Sequence, residues 1–229
     1  MTFEAWVYPE TDIASTILAF YSYQNSGEHT IMRELSYSGA NDNHFCYFEE
    51  GVEICNSFSQ IVPGNWYHIA VTIDEDYSVV LYVDGVAEPT FYANQKSNKV
   101  SLFGIGGSYN IDKAFDDPKG CHYRISSSMP FQWKGKVDEV RIWNYVRHKE
   151  DIQASMYAPM HGDKTGLVAL WHFDESEDTY TAYDATMNGH DGVLFGYSSD
   201  DTCFEVSKKP HLSYRHFFFL FFTMFPNHM

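Results

Sequence analysis

The sequence predicts an all-β fold, an antiparallel β-sandwich of two stacked sheets, and three observations carry that expectation. The first is Gly64 to Gly85 (GNWYHIAVTIDEDYSVVLYVDG), which alternates with period two on both sides of an acidic turn. Trp66, His68, Ala70 and Thr72 share one face of its first strand, and Tyr67, Ile69, Val71 and Ile73 share the other. Asp74-Glu75-Asp76 is too polar to bury, and Val79 to Val83 then returns as a β-rich run. The second is an aromatic content of 17%, since Tyr and Phe suit pleated, half-buried surfaces. The third is that one segment alone, His148 to Met156, reads as helix, with Glu150 and Asp151 near its start, where the helix dipole favours acids. A chain of 229 residues has room for one large sandwich and a real core.

Taken in order, Thr2 to Pro9 is a strand, with Phe3, Ala5 and Val7 facing one way and Glu4, Trp6 and Tyr8 the other. Ile17 to Tyr23 and Thr30 to Ser36 follow as strands, and FCYFEEGVEIC reads as a hairpin turning at Glu50-Gly51. After the Trp66–Val83 hairpin, Val100 to Ile105 is another apolar strand, closed by Gly106-Gly107. From Ser108 to Trp133 the alternation dissolves into a long loop containing Asp112, Asp116, Asp117 and Cys121; loops of that length are usually functional or disordered. Lys136 to Trp143 restores a strand, with Val137, Glu139, Arg141 and Trp143 alternating against Asp138, Val140 and Ile142.

The formal net charge of −16 argues against nucleic acid or an anionic membrane as partner, because phosphate binding needs clustered Lys and Arg. It suits calcium, basic proteins or plain solubility. The four cysteines form no C-x-x-C pair, which leaves zinc and thioredoxin-like readings without support. Counting outward from the Glu50-Gly51 turn sets Cys46 opposite Cys55, a spacing compatible with a cross-strand disulfide or with two small buried hydrophobes. No run of about 20 apolar residues exists for a spanning helix, and no secretory signal is visible, because strand-like sequence starts at Thr2. After Glu205 the chain turns basic and then phenylalanine-rich. Residues 197–229 are expected to be an irregular tail, with an edge-covering strand as the alternative and a membrane contact behind it.

TFEAWVYP (Thr2 to Pro9), the Gly64–Gly85 hairpin and GKVDEVRIWN (Gly135 to Asn144), in that order, resemble the laminin-G-like, pentraxin-like jelly roll of the concanavalin A-like lectin/glucanase superfamily. GLVALWHFDES through DATMNGHDGVLFG resembles phrases that recur beside such domains. The resemblance implies one jelly-roll domain over residues 1–196, lacking a first strand ahead of Met1; the sheet edge left open would favour a homo-oligomer. It also implies an extracellular or secreted setting and a module that binds glycans or extracellular proteins, since a minority of such families cleave polysaccharides. In pentraxins the calcium loop lies just before the strand matching GKVDEVRIW. The counterpart acids here are Asp112, Asp116 and Asp117, with Asn25 near an earlier ligand loop. The pentraxin Gln-Glu-x-Asp spacing is absent, Phe131 stands where a ligand Gln would be, and Ala70 replaces a pentraxin Cys, so a solvated acidic loop is the competing reading.

Sugar sites on sandwiches use aromatic platforms with a few polar groups. Trp6, Trp66, Trp133 and Trp143 are the candidate platforms, each weighed against core packing, with Glu4, Glu139 and Arg141 as polar neighbours. Trp133, Trp6 and Arg141 are the expected ligand set, Trp133 because Gln132 and Lys134 flank it in a loop-like setting. Catalysis is not expected. The paired-Glu word of related glycosidases is absent, Arg33-Glu34-Leu35 lacks the companions of an alginate-lyase pattern, and strand-neighbours Asp138 and Glu139 should face opposite ways. His68 reads as a satisfied core residue. A polysaccharide-active enzyme of the same superfamily and a structural repeat unit of a larger protein are the alternatives.

Overall fold

A computed structural model describes residues 1–23, 28–39, 42–93, 102–107, 111–112, 124–125, 132–175, 181–195 and 219–223. The first half contributes β1 (Thr2–Pro9), β2 (Ser15–Tyr23), β3 (Glu28–Tyr37), β4 (Phe45–Glu49), β5 (Val52–Asn56), β6 (Tyr67–Ile73), β7 (Ser78–Val83), β8 (Val86–Ala87) and β9 (Phe91–Tyr92). The rest adds β10 (Leu102–Ile105), β11 (Ile111–Asp112), β12 (Arg124–Ile125), β13 (Gly135–Trp143), α1 (Lys149–Ser155), β14 (Leu167–Trp171), β15 (Thr181–Ala182), β16 (Gly192–Phe195) and β17 (Phe219–Thr223). The strands form a 7-stranded sheet, β14-β13-β1-β6-β7-β8 with β9 also on β7, and a 10-stranded sheet, β12-β11-β3-β2-β10-β17-β16-β15 with β4 on β3 and β5 on β4. Neighbours run antiparallel, as expected for the sandwich.

The core lies between the sheets. Phe3, Ala5 and Val7 of β1 and Ile69, Val71 and Ile73 of β6 face Leu18 and Phe20 of β2, Tyr47 of β4 and Phe103 of β10. Rings interlock across the gap, Phe3 against Phe20 at 5.1 Å between centroids and Phe103 stacked on Trp171 at 5.7 Å. The expected alternation of β1 and β6 holds along both strands, because a one-residue slip would put every apolar side chain in water. Trp133 departs from expectation. It is a core residue, 3% exposed, edge-on to Tyr37 and donating its indole N–H to the Lys136 carbonyl, so it offers no platform to a ligand. Gly135 explains its pose: a Cβ there would meet the Tyr8 carbonyl and the Trp133 ring, so only glycine admits both.

Two further expectations change. The Cys46–Cys55 bridge does not form; both are buried free thiols. A register shift between Tyr47 and Phe48 makes Ile54 an extra residue, so Cys46 stands opposite Asn56 and Cys55 opposite Tyr47. Counting outward from the turn misses that bulge, and the two sulfurs belong to opposite faces of the ribbon. Burial pushes both thiols up to about 12, which makes them poor nucleophiles. Within the stretch expected to be an irregular tail, Phe219–Thr223 forms β17, seated between β10 and β16. A run of aromatic residues has high strand propensity, and two sheet edges facing each other supply its partners on both sides.

Asp184, after β15, organises the turn into β16. Its carboxylate accepts the backbone N–H groups of Leu170 (3.1 Å), Thr186 (3.0 Å) and His190 (3.2 Å), and the Thr186 hydroxyl. Burial pushes this carboxyl up, but the bonds from His190 and Thr186 prevail and hold it below its ordinary value of 3.8. Among the described residues no helix is long and apolar enough to cross a membrane.

Candidate functional site

The outer face of the 7-stranded sheet carries what the alternation turns away from the core: Glu4, Trp6 and Tyr8 on β1, His68 on β6, and Asp138, Arg141 and Trp143 on β13. Helix α1 and the segment after it fold over part of this face. Ile152, the buried residue of α1, packs on Ala70 and Tyr82, and the Gln153 amide donates to the Gly85 carbonyl at 2.8 Å. The Val-Asp-Gly tip can meet the helix there because Gly85 adopts φ +71°, where a side chain would be strained and would collide with Gln153.

Under α1 sits a buried polar cluster. Glu4 is fully buried; one carboxylate oxygen accepts from the Trp143 indole at 2.6 Å and from Arg147 at 2.5 Å, and His68 Nε2 lies 3.2 Å from the other. Arg147 lies 4.4 Å over the Trp143 ring and donates to the Asp151 carbonyl and the Ser155 hydroxyl, each at 2.9 Å, which ties α1 to the sheet. Burial pushes the Glu4 carboxyl up, but the close approach of His68 and the charges of Arg147, His68 and Arg141 outweigh it. The net result is a carboxyl held below its ordinary value of 4.5. Arg33, buried beside Glu49 at 3.4 Å, is likewise structural.

Beyond the edge of that cover the same face opens into a groove of about 760 Å³. Trp6 and Trp66 line it with Tyr157; Trp66 is 42% and Tyr157 74% exposed, and the Trp6 and Tyr157 rings lie 5.3 Å apart. The Trp6 indole N–H donates to the Met156 carbonyl at 2.8 Å, fixing the ring against the loop. Asp138, Glu139, His172 and Asp174 supply the polar lining. Glu139 adopts φ +49° within a bulge, where the pairing shifts between Glu4 and Trp6. The extra residue breaks the alternation, so Asp138 and Glu139 both line the groove instead of facing opposite ways, correcting the sequence-based expectation. Glu139 bonds His172 through one oxygen and accepts from Arg141 at 2.8 Å through the other. Burial pushes the Asp138 carboxyl up; the Glu139 backbone N–H, at 2.8 Å, and His172 oppose this, whereas the charges of Glu139 and Asp174 add to it, leaving the carboxyl above its ordinary value of 3.8.

Of the residues expected to contact a ligand, Trp6 and Arg141 therefore meet in this groove and Trp133 does not. Arg141 is buried, and its Nη atoms donate to the Ser155 and Ala158 carbonyls as well as to Glu139, so it shapes the loop as much as the cavity. Trp143, weighed as a platform, is buried against Glu4. For calcium, Asp116, Asp117 and Asn25 lie outside the described residues; Asp112 has its backbone in β11, paired with Glu28 and Arg124. Among the described residues no group of three or more His, Cys, Asp or Glu is arranged to hold a metal ion. Tyr157, His172 and Asp174 went unnoticed in the sequence because they sit outside any strand alternation.

The sequence pattern of a laminin-G-type family, described as the concanavalin A-like lectin/glucanases superfamily, matches residues 1–153. The chain belongs to that superfamily. No curated protein matches it. A solved structure of a candidate carbohydrate-binding protein from Bacteroides ovatus is similar over 81% of this chain, at 18% identity and a TM-score of 0.55. This concanavalin A-like chain spans about half the length of that protein, 49%. A heptameric pentraxin from Limulus polyphemus is similar over 66% of this chain and 67% of its own, at 15% identity and a TM-score of 0.48. The sialidase of Trypanosoma rangeli is similar over 66% of this chain and 22% of its own, at 18% identity and a TM-score of 0.47. At such identities, the Bacteroides ovatus likeness supports the concanavalin A-like fold alone, and the other two carry no argument.

Proposed function

We propose that this protein is a non-catalytic recognition module that binds glycans in the groove between Trp66, Trp6 and Tyr157. The observation that supports it best is the pairing of exposed rings with hydrogen-bonding groups in one open cavity. Trp66 and Tyr157 present faces on which a pyranose ring can stack, and Asp138, Glu139 and His172 stand beside them to bond hydroxyls. The carbohydrate binding named for the Bacteroides ovatus protein, on the same fold, agrees with this reading. Extracellular proteins as partners, secretion, association through a sheet edge and calcium assistance from the acids around Asp112 belong to the same proposal.

A glycan array, followed by calorimetry on the best binders with and without a chelator, tests it. Binding that Trp66→Ala abolishes is the expected result. Binding that survives this change places the ligand elsewhere, and loss with chelator alone assigns it to calcium. One observation favours a second reading, polysaccharide cleavage: the Glu139 bulge brings two carboxyls to one groove, and Asp138 holds its proton to higher pH than an ordinary aspartate. Turnover of laminarin, alginate or sialosides that is lost in Asp138→Asn would establish it over simple binding.

A further inference from the structure

The groove's charges bear on which glycan it takes, an inference that rests on the glycan-binding reading above. Its ionisable lining comprises Asp138 and Glu139 from β13, Asp174 and His172 after β14, His161 from the segment after α1, and Arg141. Three carboxylates thus face one guanidinium and two imidazoles.

Arg141 is the group that would ordinarily read an acidic sugar, through two parallel N–H bonds to the carboxylate. Here that fork is spent. Nη1 donates to the Ser155 carbonyl, and Nη2 to Glu139 and the Ala158 carbonyl. These bonds take three of the five N–H groups; the Nε–H, buried without an acceptor, and one Nη1 hydrogen remain, on a side chain 1% exposed. A guanidinium so enclosed, with Nη2 held by Glu139 and the Ala158 carbonyl, cannot offer a carboxylate two parallel N–H bonds. On the other side of the balance, Asp138 feels both Glu139 and Asp174 as like charges in a half-buried setting, and a cation placed among them would relieve that repulsion. The chain's net charge of −16 adds a long-range field of the same sign.

We infer that the groove selects sugars bearing a free, protonated amino group and turns away uronates and sialic acids. Asp138 and Asp174 meet the ammonium, and Trp66 and Tyr157 carry the ring.

The test is calorimetry on the full chain with three oligosaccharides of equal length: a glucosamine oligomer, its N-acetylated counterpart and an oligogalacturonate, at a pH where the amine is protonated. The glucosamine oligomer should bind about tenfold more tightly than the N-acetylated one at low salt, with the oligogalacturonate weakest. The gap should shrink as salt rises, because exposed charges are screened, and Asp174→Asn should lower the ratio of the first two affinities. An N-acetylated oligomer or a uronate that binds as tightly as the glucosamine oligomer overturns the selectivity while leaving glycan binding intact. No binding by any of the three, alongside no hit on a broad glycan array by protein with a native circular dichroism spectrum, overturns the glycan reading and the selectivity together.

Discussion

Two clusters of charged residues occupy the same outer sheet face, one beneath α1 and one in the open groove, and they are built to opposite ends. Around Glu4, the near oxygen is answered by Trp143 and Arg147 and the far one faces His68; the carboxyl is fully buried and sits below its ordinary value. Around Asp138, burial and like charges dominate, and the carboxyl sits above its ordinary value. The first cluster spends its charges on the fold. The second keeps polar capacity beside exposed rings, at a cost to the folded state that a ligand would offset. The cover supplied by α1 separates them: Arg147 and Ser155 turn one end of the face into protein interior, and the segment 156–161 leaves the other end as a wall of the groove.

The sharpest way to break this comparison is Glu4→Gln, which strands the Arg147 charge in a buried site and should lower unfolding stability by about 3–5 kcal/mol. Urea denaturation measures it, and Arg147→Met added to that variant should recover part of the loss, since the two residues act as one unit. A cost below about 1 kcal/mol would mean that water reaches the cluster.

Next in size is the groove. Trp66→Ala should weaken glycan binding at least tenfold, about 1.4 kcal/mol, with a smaller loss of stability of about 1 kcal/mol, because the ring is 42% exposed and packs on Tyr8.

Acid titration then separates the clusters by sign. Glu4 and Asp184, held down in the folded state, contribute stability that is complete above their ordinary values of 4.5 and 3.8 and drains away as pH falls through their lower folded values. Thermal melts should therefore show an acid limb, and Glu4→Gln should flatten it. Asp138 is raised, so its contribution runs the other way: it favours the fold while protonated, and that benefit is lost as pH climbs through the raised value. The smallest effect follows from this. Asp138→Asn should cost no stability and give a slight gain at neutral pH, whereas a clear loss would place Asp138 among the structural carboxylates with Glu4.

Much of this architecture is legible in residue order. The facing of β1 and β6 and the hairpin turn at Asp74-Glu75-Asp76 follow from period-two alternation, which water enforces residue by residue. Each misreading has a local cause that the alternation does not carry. At Glu139 and at Ile54 one extra residue bulges the strand, turning Asp138 and Glu139 to one side and setting Cys46 and Cys55 apart. Trp133 looks loop-borne, yet the close approach of Gly135 to β1 draws it into the core.

Composition and alternation, then, were enough to specify two antiparallel sheets and, on β1 and β6, the side chains presented inward, because burying apolar surface depends on which residues recur at what spacing. Which polar residues on the outer face became interior and which became a groove was decided by where α1 and the segment after it came to rest. That is a contact between parts of the chain some 140 residues apart, as between Thr2 or Glu4 and Arg147, and no local pattern encodes it.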